Sequence, residues 1–169
     1  RRKEIASALE DMAAAGDLVI EGDTVAHTEQ MAGLMAQVRD AGLLPAAGGI
    51  GVDPWGVQTL LDELDQLGFG EDAVFGVGQG FKLSGRIQSL ERRLLDGRLR
   101  HGDQPIMRWS LANAKTEMRG NNVLITKARA GQTKIDPLIA LFNAVALMDR
   151  NPVAEMTHSY LETSDMVVL

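Results

Sequence analysis

Apolar residues recur along this chain at two alternating spacings, one helical and one strand-like. From Thr28, the positions Met31, Leu34, Met35 and Val38 fall on one side of a helix, and Gly42 stops the pattern. The run "GGIGV" (48–52) is short and continuously apolar, as in a buried strand. Val57, Leu60, Leu61, Leu64 and Leu67 then return to helical spacing, closed by Gly68. "AVFGV" (73–77) predicts a second buried strand. Leu83, Ile87, Leu90 and Leu94 predict a helix capped by Ser84 and stopped at Gly97. Upstream, residues 5–15 have helical composition and "DLVI" (17–20) predicts a short strand. Strand, helix, strand, helix is the rhythm of an α/β fold with a partly parallel sheet flanked by helices.

The rhythm then changes. "QPIMRWSLANA" (104–114) predicts a short helix, and "KTEMRGNNVLITKA" (115–128) predicts a hairpin turning at Gly120-Asn121. "RAGQTK" (129–134) is a basic, glycine-containing loop, and residues 136–148 are a strongly apolar helix. The stretch 151–169 contains Pro152 and little periodicity, so the expected organisation is one domain over 1–150 and a C-terminal tail over 151–169.

Length and composition narrow this picture. With 169 residues, 45% of them hydrophobic, the chain can build one domain with a real core. It has no cysteine, which removes disulfides, thiolate metal sites and a cysteine nucleophile, and predicts a reducing, cytoplasmic location. No apolar run approaches the ~20 residues of a spanning helix, so no membrane partner is expected. The chain starts at Arg1, and is expected to be a piece of something longer.

The net charge of -6 conceals an asymmetry. Residues 16–75 hold eleven acidic residues and one basic residue, a balance of -10, whereas residues 76–134 hold twelve basic and four acidic, a balance of +8. A basic face beside carboxylates suits a protein that acts on a polyanion with metal help, since phosphates need Lys or Arg and hard cations need Asp or Glu. Two solvated faces that merely segregate would read the same way.

Most familiar chemical motifs fail. "FGVGQGFKLSGR" (75–86) tempts toward a phosphate-binding loop, but Phe81 stands where both the dinucleotide fingerprint and the P-loop need glycine. Lys82, at the mouth of that loop, can still meet a phosphate. His27, His101 and His158 have no metal-binding spacing, and no serine sits in a G-x-S-x-G elbow. Two Asp-Pro sites remain, Asp53-Pro54 in "GGIGVDPWG" and Asp136-Pro137 in "KIDPLIAL". Asp-Pro before an amphipathic run is a helix N-cap with proline in the first turn. Asp53 also ends a buried strand at the carboxyl edge of the sheet, where α/β proteins place their sites. Two carboxylates converging there beside a basic stretch match two-metal phosphodiester hydrolysis, with oxygen ligands favouring Mg2+ or Mn2+. The cap and ligand readings are compatible, and both stay open.

The ordered set "VDPWG", "GQGFKLSG", "LDGRLRHGDQPIMRWSLANA" and "TKIDPLIALFNAVALM" resembles the C-terminal nuclease domain of phage terminase large subunits, over about residues 16–150. The resemblance implies an RNase H-like mixed sheet flanked by helices and metal-dependent endonucleolytic cleavage of double-stranded DNA during genome packaging. The implied setting is the cytoplasm of a phage-infected or lysogenic bacterium. In the parent protein it implies an ATPase motor domain, a small terminase subunit and a portal as partners. It places family carboxylates, catalytic and metal-binding, at Asp53 and Asp136, with supporting positions at His101 and Asn113. Lys82, Arg86, Arg92, Arg93, Lys127, Arg129 and Lys134, with Arg98 and Arg100, are the candidates for holding the DNA backbone. The family's first carboxylate, on an upstream strand, has no counterpart here, because Asp17 and Asp23 match the connection that follows it. The expectation is therefore a domain truncated at its N-terminus, whose own catalytic competence is open. The alternative is a non-catalytic module, a prophage remnant that docks DNA or a packaging protein.

Overall fold

The computed structural model describes residues 2–128 and 133–152. In chain order its elements are α1 (Arg2–Ala14), α2 (Thr24–Asp40), β1 (Ile50–Val52), α3 (Gln58–Gln66), β2 (Val74–Gly76), α4 (Ser84–Leu95), α5 (Pro105–Ala112), β3 (Ala114–Arg119), β4 (Asn122–Lys127) and α6 (Asp136–Met148). Single 3-10 turns precede β2 and α4. The fold is mixed α/β, and the expected helices are all present. Among the described residues the strands form two two-stranded sheets: β1 and β2 pair in parallel, and β3 and β4 form an antiparallel hairpin.

The hairpin turns where the sequence says it should. Arg119 pairs with Asn122, leaving Gly120-Asn121 as a two-residue turn, and Gly120 takes the positive φ of 59° that such a turn demands of its first residue.

Two hydrophobic clusters hold the domain. One gathers Leu138, Phe142, Val145, Ala146 and Leu147 of α6 with Leu90 of α4, Val77 and Leu83. The other joins Ala32 of α2, Leu60 and Leu64 of α3, Phe69 and Ile50. Each fully buried Val, Leu, Ile or Phe among them contributes roughly 1.5–3 kcal/mol. The short strand β1 lies between the clusters. Ile50 points into the second, while at Gly51 a side chain would lie 3.1 Å from Leu147 Cδ1 and 3.2 Å from the Asn143 carbonyl of α6. The glycine is there because α6 comes that close.

Three local expectations are corrected. "DLVI" forms no strand; Val19 and Ile20 are 79% and 57% exposed. β-propensity without a partner ladder does not make a strand, and no described segment pairs with it. Ser84 is the first residue of α4 and not its cap; its Oγ instead accepts a hydrogen bond of 2.9 Å from the Val123 N–H, tying α4 to the hairpin. Neither Asp-Pro aspartate is a helix cap either. Pro54 precedes α3 by a turn, and Val57 occupies the cap position. At the second site Ile135 occupies the cap position, Asp136 is already helical and Pro137 lies in the first turn.

Candidate functional site

The parallel ladder Ile50–Val74, Gly51–Phe75, Val52–Gly76 is extended by one bond, Val77 N–H to the Val52 carbonyl at 2.8 Å. The chain segments that follow both strands therefore leave from the same edge. Asp53 is the first residue past β1. It is exposed, and its Oδ1 accepts a 3.2 Å hydrogen bond from the Trp55 N–H, closing an Asx turn. Pro54 packs toward β2, since a side chain at Gly76 would sit 3.5 Å from Pro54 Cβ. One oxygen of the carboxylate is thus engaged by the backbone, and the group faces solvent.

After β2, Gln79 turns back. Its Nε2 donates to the Val77 carbonyl at 2.9 Å and to Asn143 Oδ1 at 3.0 Å. Asn143, 6% exposed, is a polar residue inside the apolar helix α6. It lies two helical turns, about 10 Å along the axis, beyond Asp136. This bond couples the strand edge that carries Asp53 to the helix that begins at Asp136.

The start of α6 is fixed from α5. Ser110, fully buried, accepts a 3.2 Å hydrogen bond from the Leu138 N–H, supplying from another helix the acceptor that a cap would give. Asn113 Nδ2 donates to the Lys134 carbonyl at 3.1 Å, and the Asn113 carbonyl accepts from the Ala128 N–H at 2.7 Å. Asn113 therefore positions the backbone just before Asp136, which itself is exposed on the first turn. A carboxylate there is favoured by the positive end of the helix dipole.

Exposed aspartates are hard oxygen donors of the kind that suit Mg2+ or Mn2+. Their number is the restriction: among the described residues no group of three or more His, Asp or Glu side chains is gathered closely enough to hold a metal ion.

Residues 17–151 match the family model of the terminase large subunit, endonuclease domain. The chain belongs to this family. No curated protein and no solved structure gives a significant match. Membership assigns this endonuclease domain a role in phage DNA packaging, and no helix among its described residues is long and apolar enough to cross a membrane.

The basic residues of the terminase endonuclease domain divide into two kinds. Arg86 and Arg93 on α4 reach Asp149, just past α6, at 3.0 and 2.9 Å, and Ser89 Oγ adds a 2.7 Å hydrogen bond. The Asp149 side chain is 13% exposed. Burial raises its pKa, but the hydrogen bonds from Ser89, Arg93 and Arg86 outweigh that and hold the carboxyl below the ordinary range. The Arg93 Nε is buried and meets no hydrogen-bond partner among the described residues, while its Nη2 is committed to Asp149 at the α4–α6 contact. Lys82, Arg92, Arg100, Lys127 and Lys134 are exposed and make no salt bridge among the described residues. Arg98 pairs with Asp96 at 2.6 Å, both exposed. Arg129 lies outside the described residues.

His101 is exposed and its Nδ1 accepts the Asp103 N–H at 3.1 Å, which helps set the turn before α5. Sequence reasoning missed Gln79, Ser110, Asn143 and Asp149. Asn143 had a visible signal, a lone amide inside "LIALFNAVALM". Asp149 had none, since nothing local in "LMDRN" announces two arginines from a helix far upstream.

Proposed function

We propose that this terminase endonuclease domain cuts double-stranded DNA by metal-assisted phosphodiester hydrolysis, with Asp53 and Asp136 as ligands for Mg2+ or Mn2+. What supports the reading, beyond membership in the family, is one connection. The Gln79–Asn143 hydrogen bond ties the carboxyl edge bearing Asp53 to the helix bearing Asp136, and both carboxylates are open to solvent. In this reading the parallel pair is part of an RNase H-like sheet. Divalent ions bound there would polarise the phosphate and raise the acidity of a water nucleophile. The protein's own part is to hold the two aspartates in register, through Ser110, Asn113, Gln79 and Asn143, and to hold the DNA backbone. Lys82, Arg92, Lys127 and Lys134 are the contacts proposed for the latter. Arg86 and Arg93 instead brace α4 against α6.

A second reading, a domain that docks DNA without cutting it, is favoured by the carboxylate count, because two acids alone are a lean set for two ions. Plasmid nicking in Mn2+, compared between the wild type and Asp53→Asn, decides. Cleavage lost in the variant supports the nuclease. Metal-independent, salt-sensitive binding with no cleavage by either protein supports docking.

A further inference from the structure

We propose that the cleft between α3 and the β1–β2 pair is a docking groove for a basic, apolar-anchored segment of a partner protein. The cleft holds about 530 Å³. Val57, Leu61 and Val74, all half-buried, give it an apolar floor, while Asp62, Asp65 and Glu71 line it with exposed carboxylates. No Lys, Arg or His lines it. The three carboxylates are spread around the floor and not gathered on a cation, since no described group of three His, Asp or Glu is close enough to hold one.

Charge selects the occupant. The cleft itself carries Asp62, Asp65 and Glu71 and no cation, so it offers a phosphate no counter-charge and a basic group three. A neutral apolar ligand would leave the carboxylates beside it without counter-charges. A segment with apolar side chains on the floor and Lys or Arg heads at the carboxylates satisfies both features, because long cationic side chains lay their stems on apolar surface and keep their charge at the edge.

Extent points to a chain segment in preference to a small molecule. Trp55 follows Pro54, which lines the cleft, and is 87% exposed. Its ring makes no aromatic or cation–π contact among the described residues. Large exposed aromatics beside a concave apolar surface are what protein interfaces use as anchors. Val52 and Pro54 both line the cleft and flank Asp53, so the occupant sits next to that carboxylate, but docking needs neither metal nor DNA.

The test selects short random displayed peptides on the full chain, then measures synthetic copies of the enriched sequences by fluorescence anisotropy. Wild type is compared with Asp62→Lys/Asp65→Lys and, separately, with Glu71→Lys. All three positions are exposed, and melting temperatures check that the variants fold. The expected result is enrichment of peptides with net positive charge and several apolar anchors, with affinity falling about tenfold or more in the double variant. Quenching or shift of Trp55 emission in a Trp109→Phe background is expected on binding. Enrichment of neutral or acidic peptides, or affinity untouched by charge reversal at all three positions, overturns the proposal. Self-association of the wild type that the double variant abolishes also overturns it, by naming a second copy as the occupant.

Discussion

Gln79 and Asn143 meet in a single hydrogen bond of 3.0 Å between the segment leaving β2 and the middle of α6. Gln79 also donates to the Val77 carbonyl, and the Val77 N–H bonds to the Val52 carbonyl, so a short relay of hydrogen bonds runs from the end of β1 to a buried amide on α6. Asn143→Leu is expected to lower stability by about 1–3 kcal/mol, because it leaves part of the Gln79 amide unsatisfied. A double-mutant cycle with Gln79→Leu, read by urea denaturation, should return a coupling of about 0.5–3 kcal/mol. Additive effects would mean the bond carries nothing.

Asp53 and Asp136 are exposed, so replacing either with asparagine should change stability by no more than about 0.5 kcal/mol. Mn2+-dependent nicking should fall much further, beyond the ~10–100-fold typical of losing an outer-shell partner, and a chelator should abolish it in the wild type. Supercoiled plasmid assays and thermal melts separate the two effects. Retained nicking in Asp53→Asn would remove this residue from the metal site.

The Asp149 carboxyl behaves differently, because its folded pKa is depressed by Ser89, Arg93 and Arg86 acting against burial. A depressed folded pKa stabilises the protein above the unfolded carboxylate value and is lost as pH falls through the folded one. The wild type should therefore lose this contribution on acidification below about pH 4. Asp149→Asn should lack it throughout, costing about 1–3 kcal/mol at neutral pH and flattening the acid limb of the stability profile. Urea melts across the acid range measure both, and an unchanged acid limb would show that the cluster is energetically silent.

Arginines that look alike in sequence should separate in solution. Arg92→Ala, Lys127→Ala and Lys134→Ala should each flatten the dependence of log affinity for DNA on log salt by about 1, with stability unchanged. Arg93→Ala should destabilise the fold instead, by removing one of the three groups that hold Asp149 and loosening the α4–α6 contact. Salt-titrated anisotropy with a duplex, beside thermal melts, distinguishes the groups.

Helical periodicity was legible where a helix buries its large apolar stripe; in α2 it misled, since Ala32 is buried with Met35 and Ala36 packed beside it while Met31 and Leu34 are 40% and 60% exposed. Leu60 and Leu64, or Leu138 and Phe142, announce themselves in any window of the sequence. The hairpin was legible because Gly120 is dictated by local backbone geometry. "DLVI" misled because its composition suits a strand while no described segment beside it offers a ladder. Ser84 misled for a related reason: a hydroxyl near a helix start is free to serve a distant N–H, and here Val123 claims it. For the candidate site, Asp53 and Asp136 stood out through their proline neighbours, yet what holds them does not. Gln79, Ser110 and Asn143 act across long sequence separations, and Arg86 and Arg93 read as free charge until Asp149 is found beneath them.

Asn113 grips the chain on both sides of the basic loop, through the Ala128 N–H and the Lys134 carbonyl. Its two bonds hold the backbone at Ala128 and at Lys134, two residues before Asp136, against the end of α5. The register of the first turn of α6 is therefore set from the C-terminal end of α5, through Ser110 and Asn113.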